Sequence, residues 1–320
     1  MSAQTSPRDR PLLGVFLMIG FSLIAPGMDA FAKLAGAAIP VGETLAFRFG
    51  IQALLLLPLA LALGLITRQS PNAVLWHFIR AALILLATGF FFTALKVMPI
   101  ADAIAIFFVE PFILTLFGAV FLGETIGWRR VLACAIGFAG AMLVIRPSFA
   151  AFGPVALFPL GTAVTFALYM IVNRRTARDQ HPVEIQAWTA LAACALILPL
   201  LIAFQGSGFQ PLDPVMPEGR YWFYLAGVGV IASISHLCVS GALRFAPAST
   251  VAPLQYLEII AATGLGYMIF ADLPDTQTFV GIAIIISSGL FVIWRENKAP
   301  DMDPTPATRA APTSPRPGKI

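Results

Sequence analysis

Three observations predict an all-α integral membrane protein with ten transmembrane helices arranged as two inverted five-helix repeats. The 320 residues are 58% hydrophobic and 11% charged, with a mean hydropathy of +0.86, which lies outside the range of soluble domains. Ten apolar stretches approach or reach the roughly 17–25 residues that a helix needs to cross a ~30 Å hydrocarbon core. A polar pattern also recurs at a constant offset of 148: Pro99 is followed by Glu110 and Glu124, and Pro247 by Glu258 and Asp272.

Residues 1–11 form a basic lead with Arg8 and Arg10. The first repeat, 12–146, holds spans at 12–33, 43–66, 75–95, 100–121 and 129–146. A loop at 147–153 separates it from the second repeat, 153–294, with spans at 153–173, 183–204, 221–243, 249–270 and 277–294. The tail, 299–320, is rich in Pro, Ala and Thr, lacks periodicity and is expected to be disordered. The first span is too long for a signal-peptide core and has no small-residue cleavage site after it, so it reads as a retained helix. Runs such as Leu54-Leu55-Leu56-Leu57 do not alternate, which argues against a β-barrel.

Arg68, Arg129, Arg130, Arg174, Arg175, Arg178, Arg244, Arg295 and Lys298 fall in the connections of one side, and the other side carries fewer cations. Both termini are therefore expected to be cytoplasmic, in a bacterial inner (plasma) membrane. The net charge of +4 and pI near 9.2 reflect this orientation. No nucleic-acid partner is expected, because no basic groove with interleaved aromatics is present. Cys134, Cys194 and Cys238 are isolated in apolar spans and suit free thiols; neither a disulfide framework nor a metal site is spelled out. Five spans per repeat place the copies in opposite orientation, an arrangement that puts a site near the midplane and allows alternating access. Gly137 and Gly140 allow close helix approach.

The order of these features resembles the drug/metabolite transporter superfamily, EamA type. The residues that carry the resemblance are Gly42-Glu43 before Phe47-Arg48-Phe49, Phe121-Leu122-Gly123-Glu124, and Tyr256-Leu257-Glu258 followed by Phe270-Ala271-Asp272-Leu273-Pro274-Asp275. The resemblance covers residues 12–295 and implies a ten-helix fold with a central cavity and transport of small metabolites. Met28-Asp29-Ala30-Phe31-Ala32-Lys33, together with the Tyr256–Asp275 stretch, resembles the branch of riboflavin and S-adenosylmethionine transporters. Riboflavin uptake is the cargo this implies. The alternatives are export of amino acids or related amphipathic metabolites, S-adenosylmethionine transport, and passive facilitation.

Intramembrane ionisable residues are candidates for function. Glu110 and Glu258 either line the cavity, binding a cationic part of the cargo or a proton, or satisfy backbone freed by Pro111 and Pro253. Asp29 and Lys33 form an i,i+4 pair, read as locally neutralised near the outer interface or as a substrate clamp. Arg48 reads as an anchor for a helix end. Glu124 and Asp272 read as turn, cap or gate groups, and Lys96 and Arg244 as snorkelling or gate-closing cations. Tyr169, Asn173, Gln186, Trp188, Gln255, Tyr256 and Phe91 are the candidate cargo contacts, since a pocket sets a few polar groups in an apolar lining. His236, among Ser233, Ser235 and Ser240, reads as a proton carrier or a helix-to-helix hydrogen bond, while His77 and His181 sit at span edges with no special role.

No nucleophile elbow, phosphate loop or dinucleotide fingerprint is present, so neither an enzyme nor a cofactor is expected. The expected partners are the lipid bilayer and a small-molecule substrate, with a homodimer left open. Glu258→Gln is expected to slow transport more than Glu124→Gln, because Glu258 lies within a span and Glu124 at its end. Equal, near-native rates in both correctly inserted variants would contradict this.

Overall fold

The computed structural model describes residues 11–66, 69–122, 128–176, 181–245 and 252–296, and every regular element among them is helical. In chain order these are α1 (Pro11–Ala35), α2 (Val41–Ala62), α3 (Pro71–Leu95), α4 (Ile100–Phe107), α5 (Glu110–Leu122), α6 (Trp128–Phe152), α7 (Phe158–Thr176), α8 (Pro182–Phe204), α9 (Tyr221–Phe245), α10 (Leu257–Phe270) and α11 (Thr276–Glu296). Short 3-10 turns at Gly153–Leu157 and Ala252–Tyr256 precede α7 and α10. Among the described residues, six apolar stretches are long enough to cross a membrane: Leu12–Ala35, Val41–Ala62, Pro71–Leu95, Ala135–Asn173, Pro182–Phe204 and Tyr221–Ala242. The fourth runs through both α6 and α7, and Leu254–Phe270 and Thr276–Ser288 are shorter apolar helices. Leu54, Ile202 and Met268 point outward, as lipid contact requires.

Two boundaries differ from the sequence reading. The predicted span 100–121 is two helices, broken at Phe108-Val109. Pro111 lacks an N–H and its ring crowds the carbonyl four residues back, which disfavours a continuous helix at this point. The equivalent stretch of the second half opens with the 3-10 turn that contains Pro253. Glu110 and Glu258 thus each stand in the first turn of a new helix, where the backbone dipole favours an acid. The loop predicted at 147–153 is instead helical through Pro147, and the chain turns at Gly153, whose φ of +65° suits glycine.

Helix packing follows a regular scheme. α1 lies along α9 and α3 along α7, while α2 faces α8 and α6 faces α11. α2 also touches α9, as α3 touches α8; α1 touches α10, as α5 touches α7; α4 and α10 meet each other. The α6–α11 contact brings backbones together: a Cβ on Gly281 would fall 2.8 Å from the Gly140 carbonyl oxygen. Small residues at this seam permit dispersion contact where lipid supplies no hydrophobic drive.

Ser22, fully buried in α1, donates to the Leu254 carbonyl in the second 3-10 turn at 2.9 Å. That bond satisfies a carbonyl at a point where regular helix has not yet begun. Ser22→Ala is expected to cost about 1 kcal/mol, at the scale of interhelical hydrogen bonds in bilayers. It should therefore lower the melting temperature of the detergent-solubilised protein; an unchanged melting temperature would contradict the assignment.

Candidate functional site

Polar side chains gather at three levels along the bundle. At the level where α1 ends, Lys33 Nζ donates to Asp272 Oδ2 at 2.7 Å and to the Met98 carbonyl at 2.9 Å, with the ammonium 4.7 Å from the centre of the Phe270 ring. Asp102, buried in the first turn of α4, lies within electrostatic reach of Lys33, Asp272 and Asp275. The predicted pairing of Lys33 with Asp29 does not form. Lys33 finds two acceptors and an aromatic face where α1 ends, whereas Asp29 is buried one turn deeper. Lys96 and Arg244 are exposed and make no ion pair among the described residues. Arg244 lies close enough to His181, the N-cap of α8, to help burial hold that imidazole below its ordinary pKa.

The middle level is built around Arg48. The sequence reading placed this residue as an anchor at a helix end; in the structure it is 1% exposed, because this face of α2 turns toward α9. Its Nη2 donates to His236 Nε2 at 2.7 Å, which makes His236 an acceptor at that nitrogen, and its guanidinium lies 4.1 Å from the centre of the Phe49 ring. Arg48 Nε and Nη1 have no partner. Asp29, Glu110 and Glu258 are all buried, and Asp29 Oδ1 and Glu110 Oε1 are unpartnered. Asp29 lies within electrostatic reach of both Arg48 and Glu258, and Glu110 within reach of Tyr256. One turn beyond Arg48, Gln52 Nε2 donates to Gln186 Oε1 at 3.0 Å, and Gln186 Nε2 to Ser240 Oγ at 3.3 Å.

At the far level Arg80, fully buried, donates to Asn173 Oδ1 at 3.2 Å and to His77 Nδ1. His77 stacks on Trp188, with ring centres 5.8 Å apart, and its Nε2 meets Gln69 Oε1 at 3.3 Å. Gln69 Nε2 donates to Glu184 Oε1 at 3.2 Å. His77 is therefore not an idle edge residue; α3 begins at Pro71, so position 77 already faces inward. Beside this cluster, a surface depression of about 480 Å³ lined by Gln69, Ser70, Pro71 and Val74 holds none of the buried charges.

Aromatic rings join the levels. Phe91, Phe107, Phe166 and Tyr169 follow one another at centroid distances of 5.5–6.2 Å, and Phe107 continues through Phe108 to Tyr256. Tyr169 lies within electrostatic reach of both Arg48 and Arg80. Of the predicted cargo contacts, Tyr169, Asn173, Gln186, Trp188, Tyr256 and Phe91 belong to these connected groups, and Gln255 is half-buried beside Tyr256. Glu124 lies outside the described residues. Arg80 and Gln52 were not singled out from the sequence. The signal was a charged or amide side chain inside an apolar helix, at i+3 from His77 and i+4 from Arg48 respectively. Among the described residues no three side chains are grouped to hold a metal ion.

The sequence pattern of the EamA-like transporter family matches residues 12–146 and again 153–294. The S-adenosylmethionine uptake transporter of Rickettsia bellii is 26% identical, over 90% of this chain and 94% of its own length. The riboflavin transporter of Vibrio cholerae is 26% identical over 92% and 97%. The pseudopaline exporter CntI of Pseudomonas aeruginosa is 28% identical over 85% and 93%. A solved crystal structure, 22% identical, shares the fold with a TM-score of 0.62 over 89% of this chain and 99% of its own.

Proposed function

This chain belongs to the EamA-like transporter family, and we propose that it carries a small metabolite across the bacterial inner membrane by alternating access between two inverted five-helix halves. The carrying observation is the packing scheme. Moving each helix of the first half five spans along turns α1–α9 into α7–α3, α2–α9 into α8–α3 and α1–α10 into α7–α5, while α2–α8 and α6–α11 exchange their members. Ten passages result when α4 with α5, and the second 3-10 turn with α10, each count as one broken span. Both termini then face the cytoplasm, the Lys33 level faces outward and the Arg80 level inward. Lys33–Asp272 at the outer level and Gln69–Glu184 at the inner level each bridge the halves.

Riboflavin uptake draws support from the ring chain and from the named relative in Vibrio cholerae. A second reading, an amphipathic amino-acid-like cargo, is favoured by the unpartnered atoms of Arg48 and Asp29, which a neutral ring system leaves unsatisfied. Uptake of labelled riboflavin and labelled S-adenosylmethionine by expressing cells tests both readings. One of the two is expected to accumulate above an empty-vector control, chemically unchanged. Collapse of the gradient by a protonophore is expected to abolish accumulation, whereas a passive facilitator would only equilibrate its cargo. Movement of neither compound would contradict both cargo readings.

A further inference from the structure

We propose that Asp29 and Arg48 form a split ion pair that captures the ammonium and carboxylate of an amino-acid head group, so that the cargo is an α-amino acid or a metabolite that keeps that head group. The inference rests on the transport reading above and names the chemistry of its central level.

The two side chains are 2% and 1% exposed, on α1 and α2, both of which pack against α9. They interact electrostatically, yet no guanidinium nitrogen comes within 4.0 Å of the carboxylate, the limit for an ion pair. The atoms left over are complementary: Asp29 Oδ1 accepts nothing, and Arg48 Nε and Nη1 donate to nothing. Buried charges of opposite sign that stay apart forfeit the attraction that compensates their desolvation. Packing holds them apart. Arg48 is tethered through Nη2 to His236 on α9 and rests on Phe49. Two residues beyond Asp29, Phe31 abuts Gly227 of α9 so closely that a Cβ there would lie 2.8 Å from the ring.

A ligand satisfies both groups only if it carries both charges. A lone cation at Asp29 leaves the Arg48 donors unused, and a lone anion at Arg48 leaves Asp29 unpaired. An ammonium and a carboxylate on one carbon, each making a hydrogen bond near 2.8 Å, bridge a gap of roughly 7 Å. Glu258, within reach of Asp29, strengthens the ammonium side, and Tyr169 stands on the guanidinium side.

The test is equilibrium binding to the purified full chain in lipid nanodiscs, with S-adenosylmethionine, L-methionine and L-tryptophan as probes. For the tightest of them, the amine lacking the carboxylate and the acid lacking the amine are each expected to bind at least tenfold more weakly. Asp29→Asn should weaken the zwitterion at least tenfold while leaving the amine-free acid unchanged, and Arg48→Gln should do the reverse, sparing the carboxylate-free amine. A merely structural role would weaken all three ligands alike. Asp29→Glu and Arg48→Lys, which keep the charges, serve where the first variants fail to fold. The proposal is overturned if the analogues bind as tightly as their parent, if each variant weakens every ligand equally, or if no zwitterion binds. Counterflow of riboflavin in that last case would leave the transport reading standing while this one falls.

Discussion

Arg80→Met is expected to lower transport at least tenfold while changing the melting temperature of the purified protein little. Arg80 is fully buried about ten residues into α3, and its hydrogen-bond partners, His77 and Asn173, are neutral acceptors rather than acids. A guanidinium inside a span costs at least ~2.5 kcal/mol on insertion scales. Removing it relieves that cost but leaves two acceptors short of a donor, at about 1–3 kcal/mol each. His77 keeps its contacts with Trp188 and Gln69, and half-buried Asn173 is open to hydration, so the two effects nearly offset. A buried cation that adds so little stability is explained by function. Its Nε has no hydrogen-bond partner, and Tyr169 lies within its electrostatic reach. An Arg80→Met protein that unfolds, with the surviving fraction transporting at the native rate, would make Arg80 a structural strut instead.

Loss of Lys33 should cost more than loss of Asp272. The ion pair is partly screened, its side chains being 14% and 31% exposed, so the bond itself contributes about 1 kcal/mol, or roughly fivefold in the equilibrium between closed and open outer ends. Asp272→Asn is expected to slow transport by about that factor. Lys33→Met also leaves both Asp272 and Asp102 without the cation they share, and a slowing of tenfold or more is expected. Exchanging the charges, Lys33→Asp with Asp272→Lys, should restore only part of the rate, since the carboxylate moved to α1 then faces Asp102. Transport assays at 50 mM and 500 mM salt check the assignment: screening should narrow the gap between native protein and Asp272→Asn. Equal rates for the native protein and all three variants would remove the gate.

The fold was legible in the sequence because bilayer thickness constrains span length so strongly. The ends of α1, α2, α8 and α9 fell within a few residues of their predicted places. The break before Glu110 was harder to read: Pro111 was visible, but hydropathy is blind to a backbone interruption inside an apolar run. The site was legible as a set of residue types and not as a set of partners. Lys33 and Asp29 are neighbours on a helical wheel, yet the tertiary contact of α1 with α10 sends Lys33 to Asp272. Arg48 looked like an interface anchor because depth was judged from one helix alone. Its contact with His236, 188 positions away, is invisible to local spacing. Arg80 was missed because hydropathy averages a single arginine into an apolar span, and only the fold reveals that it points inward.

The central claim is that two inverted halves open the middle level to one side at a time. Paired spin labels at Val97 and Leu273, at the outer level, and at Ser70 and Arg244, at the inner level, measure it directly in proteoliposomes; all four positions are exposed. With saturating cargo or a change of pH across a reconstituted membrane, the outer distance is expected to lengthen as the inner one shortens, or the reverse. Distances that change together, or an unchanged pair of distances under conditions where cargo is transported, would contradict alternating access between these halves.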